Sequence, residues 1–115
     1  MTQREYQDYF NDILNSIDQV DFFIGTMTYE EFLNDSKTLN AVIRSFEVIG
    51  EAVKHLPKSI KDKNTSIPWK KIAGMRDKLI HEYFGIDYVI LWKTARDTLP
   101  KLKEDISAII NPPDR

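Results

Sequence analysis

The sequence predicts an all-α fold, an antiparallel up-and-down bundle of four to five helices over residues 1–110, with a frayed tail at 111–115. Three observations carry this expectation. Apolar residues recur every three or four positions along most of the chain. No stretch alternates apolar and polar residues with the period of a strand, and the amphipathic runs are bounded by capping residues, Gly and Pro. A chain of 115 residues encloses one core and is too short for two.

Tyr6, Phe10, Ile13, Ile17, Val20 and Ile24 form the apolar stripe of a first helix that ends near Gly25. Thr28 and Glu31 have capping-box spacing and start a short second helix. Asp35 caps a third, in which Leu39, Val42, Phe46, Ile49, Val53 and Leu56 repeat and Pro57 stops the run. Residues 57–67 read as a polar connection with about one helical turn. Pro68 suits the first turn of the next helix, where its missing N–H costs nothing; that helix ends near Gly85. Asp87 caps the last, through Val89, Trp92, Ala95, Leu99, Leu102, Ile106 and Ile109, with a kink or interruption expected at Pro100. Trp69 and Trp92 read as packing residues.

The formal net charge is −2, unevenly placed. Residues 1–53 hold three Lys/Arg and ten Asp/Glu, whereas residues 54–115 hold thirteen and eight. Between Lys54 and Lys78 there are eight basic residues and two acids, Asp62 and Asp77. A phosphate-bearing partner is drawn to that stretch, which reads equally as an exposed, solvated loop. The absence of cysteine excludes disulfides and thiolate metal sites. No signal-peptide core and no run of ~18 apolar residues appears, so a soluble, cytoplasmic protein with no membrane partner is expected. Paired Glu-x-x-His motifs, His-Glu-x-x-His and a phosphate-binding glycine loop are all missing, so neither a metal nor a cofactor is expected. His55, at the end of a helix, reads as a cap or surface residue.

The chemistry concentrates between Arg76 and Tyr83, where Arg76, His81 and Tyr83 share one helix. A guanidinium clamps phosphate with a planar fork of donors, and imidazole transfers protons near neutral pH. On an ideal helix Arg76 and Tyr83 share a face, Asp77 and His81 are neighbours, and Arg76 and His81 diverge by roughly 140°. Two copies of such a helix beside a two-fold axis would pool two arginines and two histidines in one cleft. Asp77 is placed to orient His81, or is a solvated acid. Lys78, with Lys70 and Lys71 upstream, is a candidate contact to a nucleic-acid phosphate backbone. Tyr83 and Phe84 are candidates for base stacking, though aromatics at this spacing are more often core.

R-x4-H-x-Y, preceded by Ile67-Pro68-Trp69 and Gly74-Met75 and followed by Phe84-Gly85-Ile86-Asp87, resembles the signature of the HepT-like HEPN ribonuclease toxins. Ala41-Val42-Ile43-Arg44 and Ile49-Gly50-Glu51-Ala52 resemble the same family upstream, and the likeness runs from the first helix to Leu99-Pro100-Lys101-Leu102. It implies a HEPN-like bundle working as a homodimer with a shared cleft, and a metal-independent endoribonuclease. A ribose 2′-hydroxyl would attack the adjacent phosphate of messenger or transfer RNA, with Arg76 holding the phosphate and His81 as general base or general acid. A minimal nucleotidyltransferase antitoxin, encoded nearby, would attach AMP to Tyr83. The chain would then be the toxin of a toxin–antitoxin module, as a dimer or within larger assemblies of toxin and antitoxin. The alternatives are a non-catalytic HEPN module that binds a nucleotidyltransferase or a nucleotide, and a purely structural interaction domain.

Overall fold

The structure, a computed structural model, describes residues 5–81 and 85–112, with the side chains of Ile80 and His81 outside that description. The described residues are helical nearly throughout and contain no strand. Helix α1 spans Tyr6–Ile24, α2 Tyr29–Leu33, α3 Ser36–His55, α4 Lys58–Lys63 and α5 Trp69–His81. A last helical rod comprises α6 (Tyr88–Lys93), a π-helical turn (Thr94–Thr98) and α7 (Leu99–Ile110). None of these helices is long and apolar enough to cross a membrane.

The predicted punctuation is what sets the helix ends. Gly25 closes α1 with φ of +53°, a conformation that disfavours any Cβ, and donates its N–H to the Asp21 carbonyl. Thr28 Oγ1 accepts from the Glu31 N–H at 3.2 Å, and Glu31 Oε1 accepts from the Thr28 N–H at 2.9 Å. Asp35 Oδ1 takes the Thr38 N–H at 3.0 Å, and Asp87 Oδ1 takes those of Val89 and Ile90 at 3.0 and 3.2 Å. Pro68 opens α5 by offering its carbonyl to Ile72 at 3.1 Å.

At Pro100 the expected interruption takes the form of a change of helix type rather than a break. The rod continues past it because the turn before it widens. A proline here has no N–H to give, and its ring crowds the carbonyl four residues back. The π turn relieves both problems: the Leu99 N–H reaches the Thr94 carbonyl, five residues back. Thr94 Oγ1 also donates to the Ile90 carbonyl at 2.7 Å, which further loosens the regular ladder.

The core is the set of stripes read from the sequence. Phe10, Ile13, Ile17, Val20 and Ile24 from α1 meet Val42, Phe46, Ile49 and Val53 from α3, Ile72 and Leu79 from α5, and Leu91, Ala95, Leu99, Leu102 and Ile106 from the rod. Tyr6 and Val89, the first apolar residues of the first and last predicted stripes, are exposed, because each sits at a helix start beyond the packed core; Leu39 and Ile109 are partly buried. Trp69 is buried and donates Nε1–H to the Asn64 carbonyl at 3.1 Å. Trp92 is half-buried against Tyr29 and Phe32, with the Arg96 guanidinium 5.5 Å from its ring centre.

Helix α3 is central, packed on α1 along one side and on α5 along the other. Tyr9, near the start of α1, stacks on His55 at the end of α3, so those two helices run antiparallel. Helix α7 also runs against α1: Ile109 and Ile110 lie by Tyr6 and Phe10, while Lys103 pairs with Asp18 at 2.8 Å. Helices α3 and α5 cross closely at Gly50. A Cβ built on Gly50 would stand 2.2 Å from Arg76 Cβ and 2.9 Å from its Cγ. Gly74, on α5, has open space where its Cβ would be.

Gly50→Ala is therefore expected to destabilise the protein by about 1–3 kcal/mol, the usual cost of overpacking, since Arg76 Cβ is fixed to backbone and the helices must separate. Gly74→Ala is expected to be neutral or to stabilise by up to about 1 kcal/mol through helix propensity. Urea denaturation of the two variants checks both, and equal effects would contradict the crossing.

Candidate functional site

Arg76 projects from the middle of α5 onto α3, over Gly50. Glycine inside a helix is unfavourable by itself, and here it allows the backbone of one helix to approach the side-chain stem of the other. The guanidinium then meets two carboxylates: Nη2 lies 2.8 Å from Glu51 Oε2, and Nη1 donates to Asp77 Oδ1 at 3.1 Å. Its side chain is only 24% exposed, and Nε is buried with no hydrogen-bond acceptor. Each carboxylate meets a single guanidinium nitrogen, so further N–H donors of the fork remain for a third anionic group.

Asp77 is tied from the other side. Lys54 Nζ, from the last turn of α3, lies 2.5 Å from the same Oδ1. The Lys54 hydrogen bond, and after it that of Arg76, holds the Asp77 carboxyl below the usual carboxylate range despite partial desolvation. Asp77, read from the sequence as an orienter of His81 or a solvated acid, thus has Lys54 and Arg76 as its partners among the described residues. A chain of alternating charge, Glu51–Arg76–Asp77–Lys54, stitches α5 to α3.

Arg76 lines a cleft of about 350 Å³ between α1, α3 and α5, together with Tyr9, Arg44, Glu51 and His55. His55 was read as a cap or surface residue, and it is both: its Nδ1 lies 2.9 Å from the Glu51 carbonyl, on a helix end. The structure adds that it shares the arginine's cleft. Lys70, Lys71 and Lys78 are exposed on α5, and none of them lines this cleft; Lys71 and Lys78 instead border an apolar groove with Met75, Ile86 and Ile90. His81 ends α5, its side chain outside the described set; Tyr83 and Phe84 lie outside the described residues altogether. No three His, Asp or Glu side chains among the described residues gather as a metal site.

Sequence reading missed Gly50, Glu51, Lys54 and His55 as site residues. One signal was available: a glycine in mid-helix within Ile49-Gly50-Glu51-Ala52 marks a close approach. The ion pairs that follow from that approach join residues more than twenty positions apart, and no local pattern encodes them.

Comparison with known proteins adds an independent line. Residues 13–109 match the family model described as "Ribonuclease HepT-like". A protein of Methanocaldococcus jannaschii named "Putative RNase MJ0125" is 48% identical over 110 residues, covering 96% of this chain and 95% of its own. "Probable ribonuclease HepT" of Thermococcus cleftensis is 46% identical over 101 residues, covering 88% of this chain and 92% of its own. No solved structure gives a significant match.

A carboxylate with a depressed folded-state pKa contributes stability that is complete above its unfolded value and is lost as pH falls through the folded one. The Asp77 pairings are thus constant around neutrality and loosen only in acid. Replacing Lys54 by Met is expected to raise the Asp77 pKa toward the ordinary carboxylate value. Carboxyl-carbon NMR titration reads this directly, and an unchanged midpoint would contradict the pairing.

Proposed function

This chain belongs to the HepT-like ribonuclease family, and from that premise we propose that it is a metal-independent endoribonuclease acting as the toxin of a toxin–antitoxin module. The observation that carries the reading is the placement of Arg76: a largely enclosed guanidinium, pre-oriented in a cleft with part of its fork unused. Such a group holds a phosphate with little ordering cost and stabilises charge growing on its oxygens in the transition state.

In this mechanism a ribose 2′-hydroxyl attacks the neighbouring phosphorus in line with the 5′-oxygen. The phosphorus–5′-oxygen bond breaks, leaving a 2′,3′-cyclic phosphate and a 5′-hydroxyl. His81 removes the proton of the attacking hydroxyl or returns one to the leaving oxygen. Because Arg76 and His81 diverge by roughly 140° on one helix, a homodimer brings the histidine of one copy toward the arginine of the other. Control falls to a minimal nucleotidyltransferase, encoded nearby, that attaches AMP to Tyr83; the bulky anion then competes with RNA phosphate for the arginine.

One observation favours a second reading, a non-catalytic helical module that binds a nucleotidyltransferase or a nucleotide. Arg76 is already neutralised by Glu51 and Asp77, as a purely structural arginine would be.

Cleavage of messenger or transfer RNA is expected to proceed in EDTA and to yield cyclic-phosphate ends. Arg76→Ala is expected to lower kcat by about 10²–10³-fold and His81→Ala by about 10²–10⁴-fold. Cleavage that persists undiminished in both variants would remove the assignment. An inert wild-type protein that binds the nucleotidyltransferase tightly would install the second reading. With that partner and ATP, Tyr83 is expected to gain the mass of one AMP, and Tyr83→Phe to stay unmodified.

A further inference from the structure

We propose that Tyr9 and His55 form a stacking subsite for a nucleobase of single-stranded RNA, adjoining the phosphate position at Arg76. The inference rests on the ribonuclease reading for the identity of the polymer, and on four observations of the cleft for the subsite.

First, the two rings are already paired as a platform, with centroids 5.3 Å apart and planes 18° from parallel. Offset, nearly parallel rings of this kind are the arrangement onto which a base adds. Second, the imidazole is fixed rather than free. Its Nδ1 lies 2.9 Å from the Glu51 backbone carbonyl and 3.5 Å from Glu51 Oε1. Since a carbonyl only accepts, Nδ1 carries the hydrogen in neutral His55, which leaves Nε2 as the acceptor. A ring held by its edge presents its face with little ordering cost.

Third, Glu51 connects this platform to the arginine, since its other oxygen, Oε2, lies 2.8 Å from Arg76 Nη2. One carboxylate therefore spans from imidazole to guanidinium, and the two lie within a nucleotide's length of each other. Fourth, the charges that line the cleft are interleaved rather than uniform. Arg44 lies 3.7 Å from Glu47 and Arg76 lies 2.8 Å from Glu51, with Asp12 on the facing helix. A cleft balanced in this way accepts an uncharged base on its rings, beside a phosphate at the enclosed Arg76. The volume, about 350 Å³, lies at the small end of ligand clefts and fits one nucleotide rather than several.

Stacking tolerates any base, so this subsite contributes affinity without a strict sequence preference. His55 is a substrate-contacting residue here and takes no part in proton transfer. Replacing it by Phe keeps the ring and discards the titrating nitrogens, whereas Ala removes the platform.

The test is fluorescence anisotropy of a labelled single-stranded RNA oligonucleotide with the full chain carrying His81→Ala, so that the RNA survives. Adding His55→Ala is expected to weaken binding roughly tenfold, and adding His55→Phe, which keeps the stacking face but loses the bond to the Glu51 carbonyl, to weaken it by only about two- to threefold. Tyr9→Leu is expected to act like His55→Ala. With His81 intact, His55→Ala is expected to raise KM and leave kcat unchanged. Thermal melting of each variant checks folding, and His55→Phe controls for the lost contact between α1 and α3.

Unchanged RNA affinity in folded His55→Ala overturns the subsite, as does a Phe variant that binds as poorly as the Ala variant. A fall in kcat with an altered pH profile in His55→Phe also overturns it, because it marks acid–base chemistry instead. RNA binding that depends on the two rings, in a wild-type protein that cleaves nothing, upholds the subsite and defeats the nuclease reading. Cleavage by wild type with a KM indifferent to His55 does the reverse.

Discussion

The contact of Gly50 with the stem of Arg76 is the constraint from which the described site follows. Helices normally pack with their axes 8–10 Å apart because side chains fill the space between them. At this crossing one side chain is missing altogether, and Arg76 Cβ occupies its volume. The closeness fixes where the arginine can go. Its stem is pinned between two backbones, and its head emerges beside the next residue of α3, Glu51. Asp77, one step further along α5, comes within reach of Lys54 by the same geometry. A longer separation would leave the ionic chain open and the guanidinium free to roam in solvent.

The uneven charge of the chain takes on a different meaning in this fold. Two acids of the first half pair with bases of the second. Asp18 meets Lys103 across α1 and α7, and Glu51 meets Arg76 across α3 and α5. The basic stretch from Lys54 to Lys78 is therefore no uniform attractor for phosphate. Lys54 and Arg76 turn inward to carboxylates, whereas Lys70, Lys71 and Lys78 remain on the surface, away from the arginine's cleft. In a small domain, pairing of this kind orients side chains more than it stabilises, since half-exposed ion pairs contribute little net energy.

The family relationship and the geometry bear on function at different levels. Membership identifies the chain as HepT-like. The cleft brings together the enclosed Arg76 guanidinium, the stacked rings of Tyr9 and His55, and carboxylates that balance its cations.

The helices were legible in the sequence because their causes are local. Thr28 with Glu31, Asp35, Asp87 and Gly25 each act within one or two turns and perform as read, and the apolar spacing marks the core except at the exposed Tyr6 and Val89. Pro100 was legible as a disturbance but not in kind, because whether a helix breaks or widens depends on the packing of Leu91, Ala95 and Leu99 on either side, which here holds the rod together. The residue types of the site, arginine, histidine and tyrosine on one segment, were also plain. What tertiary structure alone decided is which groups surround the arginine. Glu51, His55 and Tyr9 reach it or its cleft, and Lys54 reaches its neighbour Asp77, only because α1, α3 and α5 are packed together. Burial and pairing are properties of positions far apart in the chain, and a sequence fixes them only through the assembled core.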